Sequence, residues 1–360
     1  MTAPRSSVGP GADQGGDAAL MAEAITVAER VRGRTAPNPW VGAVVVAAPG
    51  PAPGRPGDRT GAERFSGATA PPGGAHAEVE ALARAGEQAR GGTLVVTLEP
   101  CAHHGRTPPC TDAIVEAGVR RVVVGMVDPD PAVRGRGIAA LRAAGVEVEV
   151  GTGEAEVAEQ LAPYVKHRRT GRPWVVLKLA ATLDGRTAAP DGSSRWITGP
   201  KARADVHRLR ATSDAVLVGA GTVRADDPSL TVRLPAGDPF HRDEASQPRR
   251  VVLGRVPAGA AVAPATELSG DLGSVLDQLG AEGVLQLLVE GGARVAGDFH
   301  RQGLVDTYVI YLAPALLGGD DGRGLFAGPG AATLAEAWRG TVRSVTTLGP
   351  DIRVVVTPAR

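Results

Sequence analysis

His76, Glu78, Cys101 and Cys110 constrain this chain more than any other group of residues. One imidazole and two thiols are three good ligands for a tetrahedral zinc. Three protein ligands leave a fourth position open, which marks a catalytic rather than a structural site. A water at such a position becomes a nucleophile near neutral pH. Glu78, two residues past His76, is placed to move protons rather than to ligate. A fold that honours this pattern must bring three separate segments together. His76 opens a helix expected to run to about Arg90, with Val79, Leu82 and Ala83 turned inward. Thr93–Leu98 reads as a buried strand. Cys101 follows its C-terminal end, where open α/β sheets place their sites. A second helix starts at Cys110 or Thr111 and ends near Ala117. Taken singly, such residues are caps, packed rings or inert thiols. Their conjunction points to a metal, because the chain has only these two cysteines. A structural zinc with His103 or His104 as fourth ligand stays open. We read those two histidines as loop or pocket residues.

Zinc deaminases that act on nucleobases carry the signature H-x-E…P-C-x-x-C. This chain departs from it, with Cys101-Ala-His-His-Gly-Arg-Thr-Pro-Pro-Cys110 separating the thiols by eight residues. That spacing resembles the bifunctional riboflavin-biosynthesis deaminase–reductases, whose first half carries a motif like HAEV…EPCxHxGRTPPC. Pro37-Asn38-Pro39-Trp40-Val41-Gly42-Ala43 is similar to the family's PNPxVGAVxV segment, and the run from Asp128 to Gly137 to its DPxPxVxGxG. The resemblance implies an N-terminal cytidine-deaminase-like three-layer α/β/α domain. It also implies Zn2+ on His76, Cys101 and Cys110, Glu78 as the catalytic proton carrier, and Asn38 in the substrate pocket. On the residues alone, Asn38 equally makes a turn before a strand. Arg106 and the loop arginines Arg134 and Arg136 are candidates for a substrate phosphate, which a guanidinium fits bidentately. Arg134 reads better as a solvated loop residue. Where relatives have an aromatic–His pair on a second strand, this chain has Phe65-Ser66, so the pairing of that strand stays open.

The second half has apolar strands expected at Trp174–Ala181 and Ala215–Val218, a helix over Lys201–Arg210, and later strands at Asp306–Leu312, Val342–Leu348 and Ile352–Thr357. A glycine turn opening a helix at Gly292 points amide N–H groups outward and suits a phosphate. Paired glycines also end strands for steric reasons, and the turn is not the GxGxxG of a Rossmann domain. Segments like LKxAxxLDGRxA, SxWIT, TVxADDPxLTVR and VEGG, over about residues 174–320, resemble the family's reductase half. The resemblance implies a dihydrofolate-reductase-like α/β domain that uses NADPH. Cofactor contacts then fall on Ala180, Trp196, Thr222, Asp226 and the turn at Gly292. Substrate contacts fall on Ser194, Arg210, Leu230, Arg233 and Glu290. In that frame Arg210 and Arg233 clamp a ribose phosphate and Glu290 bonds sugar hydroxyls. Lys178 and Asp226 read better as an ion pair than as a proton relay. After Arg250–Leu253 relatives commonly carry an Asp-Ser-type pair. Here Gly254-Arg255 stands there, and 256–272 leave little room for the next strand.

Charge narrows the partners. The 39 basic residues balance 39 acidic ones, which argues against a general nucleic-acid or membrane-surface binder. Two cysteines make no disulfide framework and suit a reducing cytoplasm. The N-terminus shows no signal peptide, and no apolar run reaches the ~18 residues of a spanning helix. The expected organisation is a disordered tail over 1–16, a deaminase domain over 17–150 opened by a helix that Asp17 caps and that runs to about Arg32, a helical linker over 151–172 with one helix at Glu154–Arg169, and a reductase domain over 173–360. Residues 48–75 read as an irregular insertion. The substrate implied is a small phosphorylated pyrimidine, and the resemblance suggests a dimer through the second half. Two other classes remain. An RNA-base deaminase would need a basic groove or stacking aromatics, yet aromatics are only 3% of the chain. A scaffold with one dead half stays open for the second half, because of Gly254-Arg255.

Overall fold

A computed structural model describes residues 14–48, 63–103 and 108–359. The expected tail lies outside the described residues up to position 13, as do 49–62 of the expected insertion, His104 and Arg106. The described residues fall into two compact units. One comprises the chain through Val31 together with Asn38–Val165. The other comprises Arg32–Pro37 and the chain from Lys166 onward.

The first unit runs α1 (Gln14–Glu29), β1 (Gly42–Val46), β2 (Arg64–Ala68), α2 (Ala77–Ala85), β3 (Thr93–Leu98), α3 (Cys110–Glu116), β4 (Arg121–Met126), α4 (Arg136–Ala143), β5 (Glu147–Val150) and α5 (Glu154–Gln160). Its sheet has the order β2-β1-β3-β4-β5. β1 is antiparallel to both neighbours, and β3, β4 and β5 are parallel. Adjacent residues of a strand face opposite sides, and two glycines show what lies on each. A Cβ on Gly42 would strike the backbone of Ala24 in α1. One on Gly67, which pairs with Ala43, would strike the backbone of Ala77 in α2. Helices therefore cover both faces, giving three layers. The strands β3 and β4 are buried almost throughout, as parallel strands sandwiched by helices must be.

Several expectations need correction here. β2 forms within the stretch read as irregular and pairs fully with β1. Asp17 does not cap α1. It sits in the first turn, and its carboxylate takes two hydrogen bonds from Arg121, at 3.0 and 2.6 Å. The inner face of α2 is Ala77, Ala81, Leu82 and Ala85, while Ala83 is exposed. The single helix expected over Glu154–Arg169 is two, α5 and α6 (Ala162–Thr170). Pro163 explains the break, since it has no N–H to offer the preceding turn.

The second unit continues with β6 (Trp174–Thr182), β7 (Arg186–Ala188), α7 (Pro200–Ala211), β8 (Ala215–Gly219), α8 (Ala220–Asp226), β9 (Arg249–Leu253), β10 (Thr266–Leu268), α9 (Leu272–Ala281), β11 (Gln286–Val289), α10 (Ala293–Arg301), β12 (Thr307–Ala313), β13 (Arg323–Gly324), β14 (Gly340–Leu348) and β15 (Asp351–Pro358). Eight strands form one sheet in the order β10-β9-β8-β11-β6-β12-β15-β14. The first six are parallel, and the last two form an antiparallel hairpin along β12. β10 occupies the segment judged too short for a strand, and needs only three residues to pair with β9. The alternation of β6 divides the core. Val175, Leu177 and Leu179 pack with α9 and α10, whereas Val176 packs with Ala202 and Val206 of α7 and Val223 of α8. Lys178 shares the α7 side by the same alternation, a placement the site depends on. No helix among the described residues is long and apolar enough to cross a membrane.

Candidate active sites

The three ligand candidates of the first unit come together. His76 is the residue ahead of α2, Cys110 is the first residue of α3, and Cys101 follows β3. The His76 Nδ1 lies 3.2 Å from Cys110 Sγ and 3.6 Å from Cys101 Sγ. All three ligand atoms lie within 4.8 Å of one another. Tetrahedral zinc with ordinary bond lengths separates a nitrogen and a sulfur ligand by about 3.6 Å, so the donor set fits zinc in both chemistry and spacing. The thiols share charge. A hydrogen bond from Cys110 draws the Cys101 thiol well below its usual range, and that same contact, with burial, pushes Cys110 up. A cation between them favours both as thiolates. His103 is exposed and is not part of the cluster. Among the described residues the fourth position therefore has no side-chain ligand, as a catalytic site requires.

Glu78 sits in the first turn of α2 and is buried. Burial raises its carboxyl pKa, while its own backbone N–H and the nearby His76 pull it back. A carboxyl so poised can both take and return a proton. Asn38 lies half-buried ahead of β1. The antiparallel register puts the start of β1 beside the end of β3, where the Gly42 N–H bonds the Thr97 hydroxyl at 3.2 Å. Asn38 thus precedes the strand end that pairs beside the end of β3, after which Cys101 follows.

One residue of this site has no role in the sequence reading. Glu99 is buried and accepts four backbone hydrogen bonds. Its Oε2 takes those of Asp128 and Gly135, at 3.2 and 2.9 Å, and its Oε1 those of Gly137 and Ile138, at 2.9 and 3.3 Å. The carboxylate ties the Asp128–Ile138 loop to the strand end that delivers Cys101. Gly137 is required there, since a Cβ would collide with the Pro100 carbonyl oxygen. Arg134 and Arg136 stand exposed on this loop.

In the second unit Ala180, Thr222, Glu290 and Gly292 stand at or just after the carboxyl ends of β6, β8 and β11, three adjacent parallel strands. That is where open α/β sheets bind ligands. Glu290 follows β11 and is gripped by Arg210 of α7, with Nε–Oε1 at 2.6 Å and Nη2–Oε2 at 3.0 Å. Arg210 Nη1 donates to the Thr231 carbonyl at 3.1 Å. Lys178 Nζ lies 4.0 Å from Glu290 Oε2, so its ion-pair partner is Glu290 and not the expected Asp226. Burial lowers the Lys178 pKa. It also works against the Glu290 charge, but Arg210 and Lys178 prevail and hold Glu290 below the usual range.

Thr222 Oγ1 accepts the Gly292 N–H at 3.1 Å, joining the first turn of α8 to the glycine turn before α10. Gly291 has no room for a side chain, because a Cβ there would meet Val295 at 2.5 Å. The result is a bare backbone cradle at a helix start, suited to a cofactor phosphate. Ala180 lies in β6 near its carboxyl end, and Asp226 ends α8 half-buried. Ser194 and Trp196 stand on the loop between β7 and α7. Trp196 is 70% exposed, with the Arg203 guanidinium 4.7 Å from its ring centroid. Leu230 is buried in a left-handed conformation at φ 55°, and Arg233 is exposed. At the departure Gly254-Arg255, Gly254 has φ 106° and its Cβ position lies 3.0 Å from Ala220, while Arg255 is exposed. Sequence reasoning missed Arg203 and His207. The one available signal for His207 was its place three residues before Arg210, on the same helix face.

Fold and sites together define a zinc-dependent base deaminase followed by a reductase. Two family models match accordingly: the cytidine and deoxycytidylate deaminase zinc-binding region over residues 15–126, and the RibD C-terminal domain over 173–354. The riboflavin biosynthesis protein RibD of Escherichia coli is 40% identical, over 93% of this chain and 98% of its own. The structure of Acinetobacter baumannii RibD superposes with a TM-score of 0.86 at 38% identity, covering 97% of this chain and all of that one. A diaminohydroxyphosphoribosylaminopyrimidine deaminase/5-amino-6-(5-phosphoribosylamino)uracil reductase from Thermotoga maritima superposes with a TM-score of 0.81 at 34% identity, with the same coverage. The chain belongs to the RibD family of bifunctional riboflavin-biosynthesis enzymes. Its cofactors are zinc in the first unit and NADPH in the second.

Proposed function

We propose that the first unit hydrolytically deaminates 2,5-diamino-6-ribosylamino-4(3H)-pyrimidinone 5′-phosphate. The second then reduces the ribosyl side chain of the product, giving 5-amino-6-ribitylaminouracil 5′-phosphate. The observation that carries this reading is the meeting of His76, Cys101 and Cys110 beside the buried Glu78. Zinc on those ligands supplies the Lewis acidity that makes water nucleophilic near neutral pH. Beside a bound zinc, Glu78 would serve as the group that accepts a proton and hands one to the departing amine. Asn38, just ahead of β1, holds the pyrimidine.

In the second unit NADPH supplies the hydride, and the chain supplies placement. Ala180, Trp196, Thr222, Asp226 and Gly292 hold the cofactor. Ser194, Leu230, Arg233, Glu290 and Arg210 surround the substrate, with a division of labour. Arg210 spends its fork on Glu290 and orients it. Glu290, held ionised, accepts from sugar hydroxyls. Among the described residues the Arg233 guanidinium bonds only hydroxyls, Ser229 Oγ at 2.5 Å and Thr231 Oγ1 at 3.2 Å, which leaves it available for the 5′-phosphate.

The reading places the enzyme in the cytoplasm, where its two thiols stay reduced. A second copy pairs along β14, an edge strand that exposes Val342 and Val345. Val345→Lys should shift the protein to a monomer in sedimentation, and an unchanged mass would dismiss this face as the dimer contact.

Metal analysis tests the deaminase site. The purified protein should hold close to one zinc per chain. Cys101→Ser should lose most of it and stop ammonia release, while still oxidising NADPH when given the deaminated intermediate. Full zinc content in Cys101→Ser would refute the ligand set.

A further inference from the structure

His207 has no part in the chemistry described so far, yet it touches the element that presents Arg233. It lies on α7, three residues before Arg210, so both side chains leave the helix on one face. Each reaches the same loop. Arg210 donates to the Thr231 carbonyl at 3.1 Å, and His207 Nδ1 accepts the backbone N–H of Arg233 at 3.2 Å. The loop they hold is an unusual one. Asp227 has φ 42° and Leu230 has φ 55°, both in a left-handed region that costs residues with a side chain free energy. Such a loop keeps its shape only where neighbours fix it. Outside α7, Gln247 Oε1 accepts the Val232 N–H at 2.7 Å. From α7 the tie to Arg233 itself is the imidazole.

We propose that His207 is a positioning residue for the reductase reaction, whose Nδ1 fixes the Arg233 backbone and so aims the Arg233 guanidinium at the substrate's 5′-phosphate. This rests on the reading that Arg233 meets that phosphate. The chemistry of the ring supports it. Burial, with Arg210 and Arg233 nearby, pushes the imidazole pKa down to about 4. His207 is therefore neutral near pH 7, and its Nδ1 lone pair is available to the amide. Arg233 in turn has its pKa lowered by the partial burial of its charge and by Arg210, against a lesser pull from Glu290. Among the described residues no carboxylate pairs with it. A guanidinium under that repulsion gains most from a dianion, provided its backbone does not move.

The test is steady-state reduction of the deaminated intermediate, with and without its 5′-phosphate, by wild type, His207→Ala, His207→Asn, His207→Gln and Arg233→Ala. Asparagine places an amide oxygen where Nδ1 stood, whereas glutamine carries its oxygen one bond too far. His207→Ala and His207→Gln should raise KM for the phosphorylated substrate about five- to tenfold, the size expected for one lost hydrogen bond. They should leave kcat nearly unchanged, and leave KM for the dephosphorylated substrate unchanged. His207→Asn should stay within about twofold of wild type. Titration with NADPH, expected to be unaltered, reports that each variant is folded. If Arg233→Ala raises KM and the His207 variants do not, the proposal fails and the phosphate reading stands. If Arg233→Ala also leaves KM unchanged, the phosphate reading fails and takes the proposal with it. If His207→Ala raises both KM values equally, or asparagine does no better than glutamine, the residue is only structural and the proposal is overturned.

Discussion

Glu78→Gln should lower the turnover of ammonia release by a factor of about 10²–10⁴, the usual contribution of a positioned proton carrier. The amide fills the same space in α2 but can neither take a proton from water nor pass one to the amine. Stability should not suffer. Burial raises the folded-state pKa of Glu78 above its ordinary 4.5. For a carboxyl shifted this way, the stabilisation belongs to the neutral form. It is fully present below the unfolded pKa and is lost as pH rises through the folded one. Glutamine has no carboxyl to ionise in that buried site, so it carries no such cost. Thermal unfolding at pH 7 should occur at the wild-type temperature or above it. A variant that keeps more than a tenth of wild-type turnover would remove Glu78 from the mechanism. One that loses activity together with its fold would leave the residue structural.

The second large effect is expected at Glu99, which is not one of the three clustered ligand residues. Its two oxygens accept four amide hydrogen bonds from the Asp128–Ile138 loop. Glu99→Gln keeps one acceptor oxygen and turns an NH2 toward two amide donors. Two buried donors then lose their partners, at about 1–3 kcal/mol each. For a unit of this size that corresponds to a fall of about 10 °C in the midpoint of its thermal transition. Since Cys101 is two residues away, zinc affinity should fall as well. Calorimetry of the zinc-loaded variant checks the first effect and competition with a chelator the second. An unchanged midpoint would mean that the four hydrogen bonds do not hold the loop.

What the sequence disclosed, and what it hid, follows from the range of the forces involved. The three ligand candidates were legible because each stands at a helix start or strand end that the local apolar pattern marks, as Thr93–Leu98 does for Cys101. β2 was not legible. Arg64-Phe65-Ser66-Gly67-Ala68 has neither alternation nor β-branched residues, and its strand character comes from pairing with β1. The three residues of β10 likewise owe their conformation to β9. Pro163 could have revealed the break between α5 and α6 from its chemistry alone. The grip of Arg210 on Glu290 joins residues 80 apart in the chain, and no local pattern announces it. Resemblance named both residues as substrate contacts without showing that one is spent on holding the other. Glu99 and His207 were harder still, because their partners are backbone amides, which leave no mark in a sequence.

Two separate chemistries in series on one chain predict a definite time course when wild-type protein is supplied with the diaminopyrimidine nucleotide and NADPH, and ammonia and NADPH are followed separately. Both signals should appear, ammonia first. After zinc is stripped with a chelator both should stop, and adding the deaminated intermediate should restart NADPH oxidation alone. NADPH oxidation that continues on the original substrate without ammonia release, or that fails to restart on the intermediate, would contradict the account.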